Sequence, residues 1–299
     1  MAQLITPTVL LKIEELFNQK KWPMTNGSLN QLSLFQKFCE RLKLFDTVHQ
    51  ELIIELSKNF LIINLNEYLE RFYDSFFCLK TSLVEQTDRI FIFPLTNPFI
   101  EVLEGENKVA KGKTKSAHFL HYMLEAGDYT WISNKLIISN SINLLRKEFD
   151  NTNSILILID DFIGSGKTAI DVCEIYLAEE INAGKIDPKN IKIVSIAAQK
   201  SEIENIEKTI GIEVFSNLVL PKGISDFFTG DDLNFNTIKM QEIEKRLKIQ
   251  DDYLFGYEQS EALISFLNKT PNNTFPVYWH ETLKKVAPFP RYKKYFAHG

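Results

Sequence analysis

The stretch from Ser154 to Thr168, Ser-Ile-Leu-Ile-Leu-Ile-Asp-Asp-Phe-Ile-Gly-Ser-Gly-Lys-Thr, constrains this chain more than any other. A continuous apolar, β-branched run bounded by turn signals reads as a strand buried on both faces, the kind found in a parallel sheet. The run stops at two carboxylates, Asp160 and Asp161, and a glycine-rich turn follows. A long amphipathic pattern then begins at Thr168. Strand, tight loop and helix N-terminus together make a phosphate cradle, because loop amides and the positive end of the helix dipole point at one spot.

The segments around this stretch alternate. Arg89–Pro94 and Trp131–Ser139 read as strands, Ser116–Ala126 and Ile142–Phe149 as helices, and Thr168 to about Asn182 as a helix stopped by Gly184. Ile191–Ala198 is a further buried strand. Ser201–Ile210 is a helix with a capping box of Ser201 and Glu204, and Glu213–Leu220 is a strand. This order predicts an α/β fold with a doubly wound, mostly parallel sheet, in which ligands bind beyond the carboxyl ends of the strands.

Before residue 87 the pattern is helical throughout. Thr6-Pro7 opens a first helix, and others are expected near Leu29–Phe45, Val48–Ile63 and Leu65–Leu79. The expected division is therefore a helical N-terminal extension over 1–86 and an α/β domain over 87–299 with an irregular C-terminal segment. In that segment Ile238–Leu247 reads as a helix, and Asp251–Tyr257 and Thr274–Trp279 as short strands or edges.

Composition narrows the function classes. A net charge of -5 gives no general attraction to nucleic acid or anionic membrane. Cys39, Cys78 and Cys173 are far apart and fit no metal spacing, which suits a reducing compartment. No apolar run approaches the ~20 residues of a membrane helix, and no signal core stands at the N-terminus. A cytoplasmic protein is expected.

Two phosphate chemistries compete for the central loop. Gly166-Lys167-Thr168 invites a Walker reading and hence a nucleotide hydrolase, but that motif opens with a glycine where this chain has Asp161. Paired carboxylates instead suit vicinal hydroxyls. Asp160 and Asp161 can accept hydrogen bonds from a ribose, while Ser165, Gly166 and Thr168 enclose its 5-phosphate. The bland reading, acids that merely cap a turn, leaves the two glycines and the Lys-Thr pair unexplained.

The same residues resemble the phosphoribosyltransferase family: an apolar strand, Asp-Asp, two apolar residues, a small residue, Ser-Gly, any residue, Thr. That resemblance implies binding of 5-phosphoribosyl 1-pyrophosphate (PRPP), with magnesium held mainly by the ligand and no metal site of the protein's own. Asp160 and Asp161 would take the catalytic positions. Phe162, Ile163, Gly164, Ser165, Gly166, Lys167 and Thr168 would bind substrate. Lys113 and Lys115, at the end of a long loop that also carries Lys108 and Lys111, are candidates to neutralise the leaving pyrophosphate, against the plainer reading of a solvated basic loop. Oxopurine salvage enzymes carry an aspartate where this chain has Gly164, which removes that acid–base role.

A second resemblance lies near the C-terminus. Phe255-Gly-Tyr257, Thr270-Pro-Asn-Asn-Thr-Phe-Pro-Val-Tyr-Trp279 and Ala287-Pro-Phe-Pro-Arg291 are similar to the C-terminal signature of phosphoribosyltransferase-like proteins of bacterial conflict systems, including some retrons. It implies a role in defence against phages and a protein partner of that system. The competing reading is a non-catalytic sensor or effector subunit that docks a partner through its helices. His118 and His121 stand at i, i+3 on one helix with no third metal ligand in view. The basic and aromatic run Arg291-Tyr-Lys-Lys-Tyr-Phe is read as a docked or frayed terminus, not a nucleic-acid strand binder.

Overall fold

The computed structural model describes residues 3–25, 32–79, 81–96, 116–125, 134–266, 269–282 and 285–291. The chain begins with α1 (Pro7–Lys20), α2 (Leu34–Leu42), α3 (Thr47–Ser57), β1 (Leu61–Ile63), α4 (Tyr68–Phe76) and α5 (Thr81–Glu85). Then come β2 (Arg89–Pro94), α6 (Ser116–Glu125), β3 (Leu136–Ile138), α7 (Ile142–Glu148) and β4 (Ser154–Ile163). After these stand α8 (Lys167–Asp171), α9 (Ala178–Asn182), β5 (Ile191–Gln199), α10 (Lys200–Ile210) and β6 (Glu213–Leu220). The chain closes with α11 (Gly230–Leu247), β7 (Ile264–Phe266) and α12 (Pro276–Trp279). Contacts divide it into two units, Asn66–Leu220 and a unit joining Met1–Leu65 to Pro221–Gly299.

The Asn66–Leu220 unit is an α/β sandwich around a five-stranded sheet of order β3-β2-β4-β5-β6. Every pairing is parallel. The doubly wound architecture expected from the alternation is present. Phe91, Phe93, Leu156, Leu158, Ile191 and Ile193 share one apolar cluster with Val172, Cys173, Leu177 and Ile206 from the helical layer. The alternate residues Ile90, Ile92, Ile155 and Ile157 are equally buried and point the other way, as the period of two in a strand requires. Helices α4 and α6 pack on the sheet and on each other. Covering both faces is what makes the continuous apolar sequence of β4 tolerable.

Two local expectations change here. The helix expected from Thr168 to Asn182 is interrupted by a π turn, Val172–Tyr176, closed by the Leu177 amide donating to the Val172 carbonyl at 2.9 Å. The capping box expected at Ser201 does not form. Strand β5 runs to Gln199 and α10 starts at Lys200, so Ser201 already lies inside the first turn and its hydroxyl donates to Glu202 instead. A capping box does form between Ser33 and Gln36 at the start of α2.

In the other unit, α1, α2 and α3 share a core with the C-terminal residues. Phe60 stacks on Phe289 at 4.7 Å and meets Tyr278 at 4.5 Å, and Trp22 contacts both Phe60 and Phe289 edge-on. The helix expected to reach Ile63 ends at Ser57. Residues 61–63 form β1, which pairs in parallel with β7. Ile62 and Ile63 are β-branched, and this segment finds a strand partner far along the chain that outweighs helical continuity. Thr274–Trp279 is not a strand. Pro276 sits in the first turn of α12, where its missing amide proton costs nothing. Asp251–Tyr257 is likewise not an edge strand but lies within 3-10 turns at Asp251–Tyr253 and Tyr257–Gln259.

The backbone from Phe255 to Glu261 is strained. Phe255, Glu258, Glu261 and Gln259 all have positive φ, between 51° and 57°. Such geometry costs roughly 1 kcal/mol per residue and persists only when the surroundings over-determine it. Two buried glutamates do so. Glu244 accepts the Phe255 amide at 3.0 Å, and Glu261 accepts the amides of Ile224 at 2.7 Å and Ser225 at 2.8 Å. Gly256, with φ of 81°, lies so close to Asn273 that a Cβ would stand 1.9 Å from its carbonyl oxygen.

Two outcomes are expected. Gly256→Ala should destabilise this unit by about 3 kcal/mol or more, read from denaturant midpoints, since backbone must move to admit the methyl. Burial pushes the Glu244 carboxyl up to about 8, opposed by the Phe255 amide and reinforced by the charge of Glu261. The native state therefore holds that proton more tightly than the unfolded chain. The resulting stability is fully present below the ordinary 4.5 and is lost as pH rises through about 8. Glu244→Gln keeps the acceptor and should flatten the fall in stability between pH 5 and 8. An unchanged slope in urea titrations would count against it.

Candidate ribose-phosphate site

The strand order places β4 at a switch point. After β2 the chain adds β3 on one side, then crosses to place β4 on the other. Ligand crevices in open parallel sheets lie outside the carboxyl ends of the strands at such a point. Register makes the local geometry explicit. Pairing of β4 with β2 ends at Pro94 opposite Ile159, whereas pairing with β5 continues to Ile163 opposite Ala198. The strand was expected to stop at the acids. It runs through both acids to Ile163, four residues beyond Ile159, because β5 keeps offering ladder partners.

Asp160 and Asp161 therefore sit inside a strand, with Asp160 half-buried and Asp161 only 6% exposed. Asp160 Oδ1 accepts the Asp161 amide at 2.8 Å and the Ser116 hydroxyl at 3.3 Å. Asp161 Oδ2 accepts the Tyr68 hydroxyl at 3.3 Å. Burial holds the Asp160 carboxyl well above the usual carboxylate range, and the neighbouring Asp161 charge raises it further. Burial also raises Asp161, against the hydrogen bonds it accepts. Two acids this close titrate as a pair.

Beyond Ile163 the turn is three residues, Gly164, Ser165 and Gly166, before α8 begins at Lys167. That is too short for a Walker wrap, whose first glycine position is here Asp161, inside β4. Gly166 caps α8 with φ of 68°, a left-handed conformation that glycine adopts without penalty. A Cβ there would meet Ile206 at 3.2 Å and the Glu202 carboxylate at 3.3 Å. Ser165 and Thr168 are half-buried and Lys167 is exposed at the helix start. Phe162 and Ile163 are buried, and Ile163 belongs to the apolar cluster under the sheet, so their side chains serve the fold.

Lys113 and Lys115, the candidates for the pyrophosphate, lie outside the described residues. His121 Nε2–H donates to the Ser139 carbonyl at 3.1 Å, and its Nδ1 lies 3.7 Å from Glu125. Among the described residues no three His, Cys, Asp or Glu side chains gather as a metal site. A cavity of about 340 Å³ lined by Asp251, Asp252, Leu254, Tyr257, Glu258 and Gln259 belongs to the other unit, and its acidic lining repels phosphate. Tyr68 and Ser116 were not legible as site residues. They lie 93 and 44 positions from the acids they contact, in segments with no motif.

Since the folded protein holds protons on the acid pair more tightly than the unfolded chain, the pair's contribution to stability is lost as pH rises. Asp160→Asn should thus stabilise the ligand-free protein above neutral pH, by on the order of 1–2 kcal/mol, with a smaller effect at pH 5. Thermal melts at the two pH values check this.

The family model described as PRTase-CE matches residues 31–291. No curated protein and no solved structure matches the chain. No helix among the described residues is long and apolar enough to cross a membrane. A five-stranded parallel sheet, an acid pair and glycine turn at its switch point, and a family match over nearly the whole length agree: the chain belongs to the PRTase-CE family and is a phosphoribosyltransferase-like protein.

Proposed function

We propose that this protein binds PRPP or a related ribose 5-phosphate at the end of β4. The observation that carries the reading is the juxtaposition of two carboxylates with a three-residue glycine turn that opens a helix at the sheet's switch point. Asp160 and Asp161 accept hydrogen bonds from the ribose hydroxyls. Ser165, Gly166, Lys167 and Thr168 receive the 5-phosphate, where backbone amides and the helix dipole favour an anion. Glu202, close to Gly166, sets a limit on how much negative charge the turn accepts.

Burial raises the proton affinity of the acid pair, and among the described residues no cation pairs with it; magnesium would be held mainly by the PRPP ligand itself. When bound, that ion supplies charge neutralisation for the departing pyrophosphate. In the transfer reaction the anomeric C–O bond breaks with its electron pair leaving on pyrophosphate, and an acceptor atom forms the new bond to the same carbon. The chain's own contribution is to hold the ribose and its phosphate fixed while the ring carries positive charge. Lys113 and Lys115 neutralise the pyrophosphate in this reading.

Gly164 favours a second reading, ligand sensing without transfer, because the acid that handles a base proton in oxopurine salvage enzymes has no counterpart there. In either case the resemblance of the C-terminal residues supports service in a defence system, together with a protein partner.

Saturating PRPP with magnesium, at ~100 times Kd, should stabilise the protein by about 2.7 kcal/mol, seen as a melting shift. The Asp160→Asn/Asp161→Asn variant should show no shift. A shift with ATP and none with PRPP or ribose 5-phosphate sinks the proposal. Pyrophosphate release across a panel of nucleobases and nucleotides then separates transfer from sensing.

A further inference from the structure

The acid pair takes its hydrogen bonds from two helices that no motif singles out. Tyr68 is fully buried at the first position of α4, its ring edge-on to Phe119 at 5.7 Å, and its hydroxyl donates to Asp161 Oδ2 at 3.3 Å. Ser116, the first residue of α6, donates to Asp160 Oδ1 at 3.3 Å. Charged groups elsewhere around β4 are engaged with other partners. Arg89 on β2 pairs with Glu148, Lys192 on β5 with Glu213, and His121 on α6 with Ser139 and Glu125. Lys167 on α8 is exposed, and Glu202 on α10 takes hydrogen bonds from Ser201 and Asn205. Among the described residues no cation forms an ion pair with either acid, so the two hydroxyls are the side-chain donors acting on the pair.

A hydroxyl that donates to a carboxyl oxygen favours the ionised, accepting form of that group. Ribose hydroxyls need that same form, since a carboxylate accepts from a diol and a protonated acid does so with one oxygen fewer. We infer that Tyr68 is a positioning residue of the ligand grip: its hydroxyl holds the Asp161 carboxyl ready to accept the ribose and thereby couples ligand uptake to pH. Ser116 does the same for Asp160. The inference rests on the ribose-phosphate reading of the site for its ligand, though not for the effect of Tyr68 on the acids.

Tyr68→Phe keeps the buried ring and removes only the hydroxyl. Losing this donor raises the proton affinity of a pair already raised by burial, so more of it is protonated at neutral pH. Titrated with PRPP and magnesium, the variant should bind about fivefold more weakly at pH 7, the value of one hydrogen bond, and the gap should narrow as rising pH ionises the pair in both proteins. An equal loss at every pH, or none, overturns the inference. The infrared carboxylic-acid band of the ligand-free protein, assigned by its loss in Asp160→Asn/Asp161→Asn, gives a ligand-independent readout. It should persist to higher pH in Tyr68→Phe, and an unchanged titration of that band also overturns the inference. Should PRPP fail to bind the wild-type chain at any pH while the band still moves, the binding reading falls and the role of Tyr68 stands. Ser116→Ala, outside the apolar core, should show the same pH-selective loss and serves if Tyr68→Phe does not fold.

Discussion

Two consecutive carboxylates held inside a parallel strand impose the constraint that the Asn66–Leu220 unit is arranged around. Burying charge is unfavourable, and among the described residues the fold answers with hydrogen-bond donors and not with a salt bridge. The Asp161 amide, the Ser116 hydroxyl and the Tyr68 hydroxyl all turn toward the acids. None of these fully compensates, which is why both carboxyls keep a raised proton affinity. A sheet core under selection for stability alone has no use for such a pair. Strain or unrelieved charge of this kind, at a switch point, is where ligand-binding sites are found.

The sheet makes the arrangement possible because its two edges at β4 end at different levels. The ladder to β2 stops opposite Ile159, and the ladder to β5 continues past both acids. The backbone of Asp160 to Ile163 is thus held by its ladder to β5 beyond the point where the ladder to β2 ends. A short glycine turn then reverses the chain into α8 with Gly166 in a left-handed conformation. The same geometry that fixes the acids also fixes the glycine turn. Specific placement of both comes from register.

The second unit shows the same principle in a different place. The residues Tyr257, Asn273, Thr274, Tyr278, Trp279, Phe289 and Arg291, which drew notice as a signature, bond chiefly to one another and to the N-terminal helices of their own unit. Tyr278 reaches Ser57 at 3.0 Å, Arg291 reaches the Thr270 carbonyl at 2.7 Å, and Asn273 holds the strained turn at Ser260 at 2.7 Å. The signature therefore reads as a hydrogen-bonded knot. Its strained backbone is restrained by Glu244 and Glu261, and burial raises the proton affinity of the Glu244 carboxyl.

By itself the sequence determined the elements whose signals are local. Apolar runs long enough to be strands, Gly211 ending α10, Thr6-Pro7 starting α1, and the Asp-Asp-to-Thr168 motif all carry their meaning within about ten residues, so periodicity and turn chemistry were enough. Tertiary structure alone decided what depends on distant partners. Residues 61–63 became a strand because 264–266 lay beside them, β4 ran past its acids because β5 did, and residues 1–65 joined 221–299 through a shared aromatic core. It also brought Tyr68 and Ser116 to the acid pair. No spacing rule reaches across 93 or 44 residues, because such a contact is set by how helices pack on a sheet and not by the period of either.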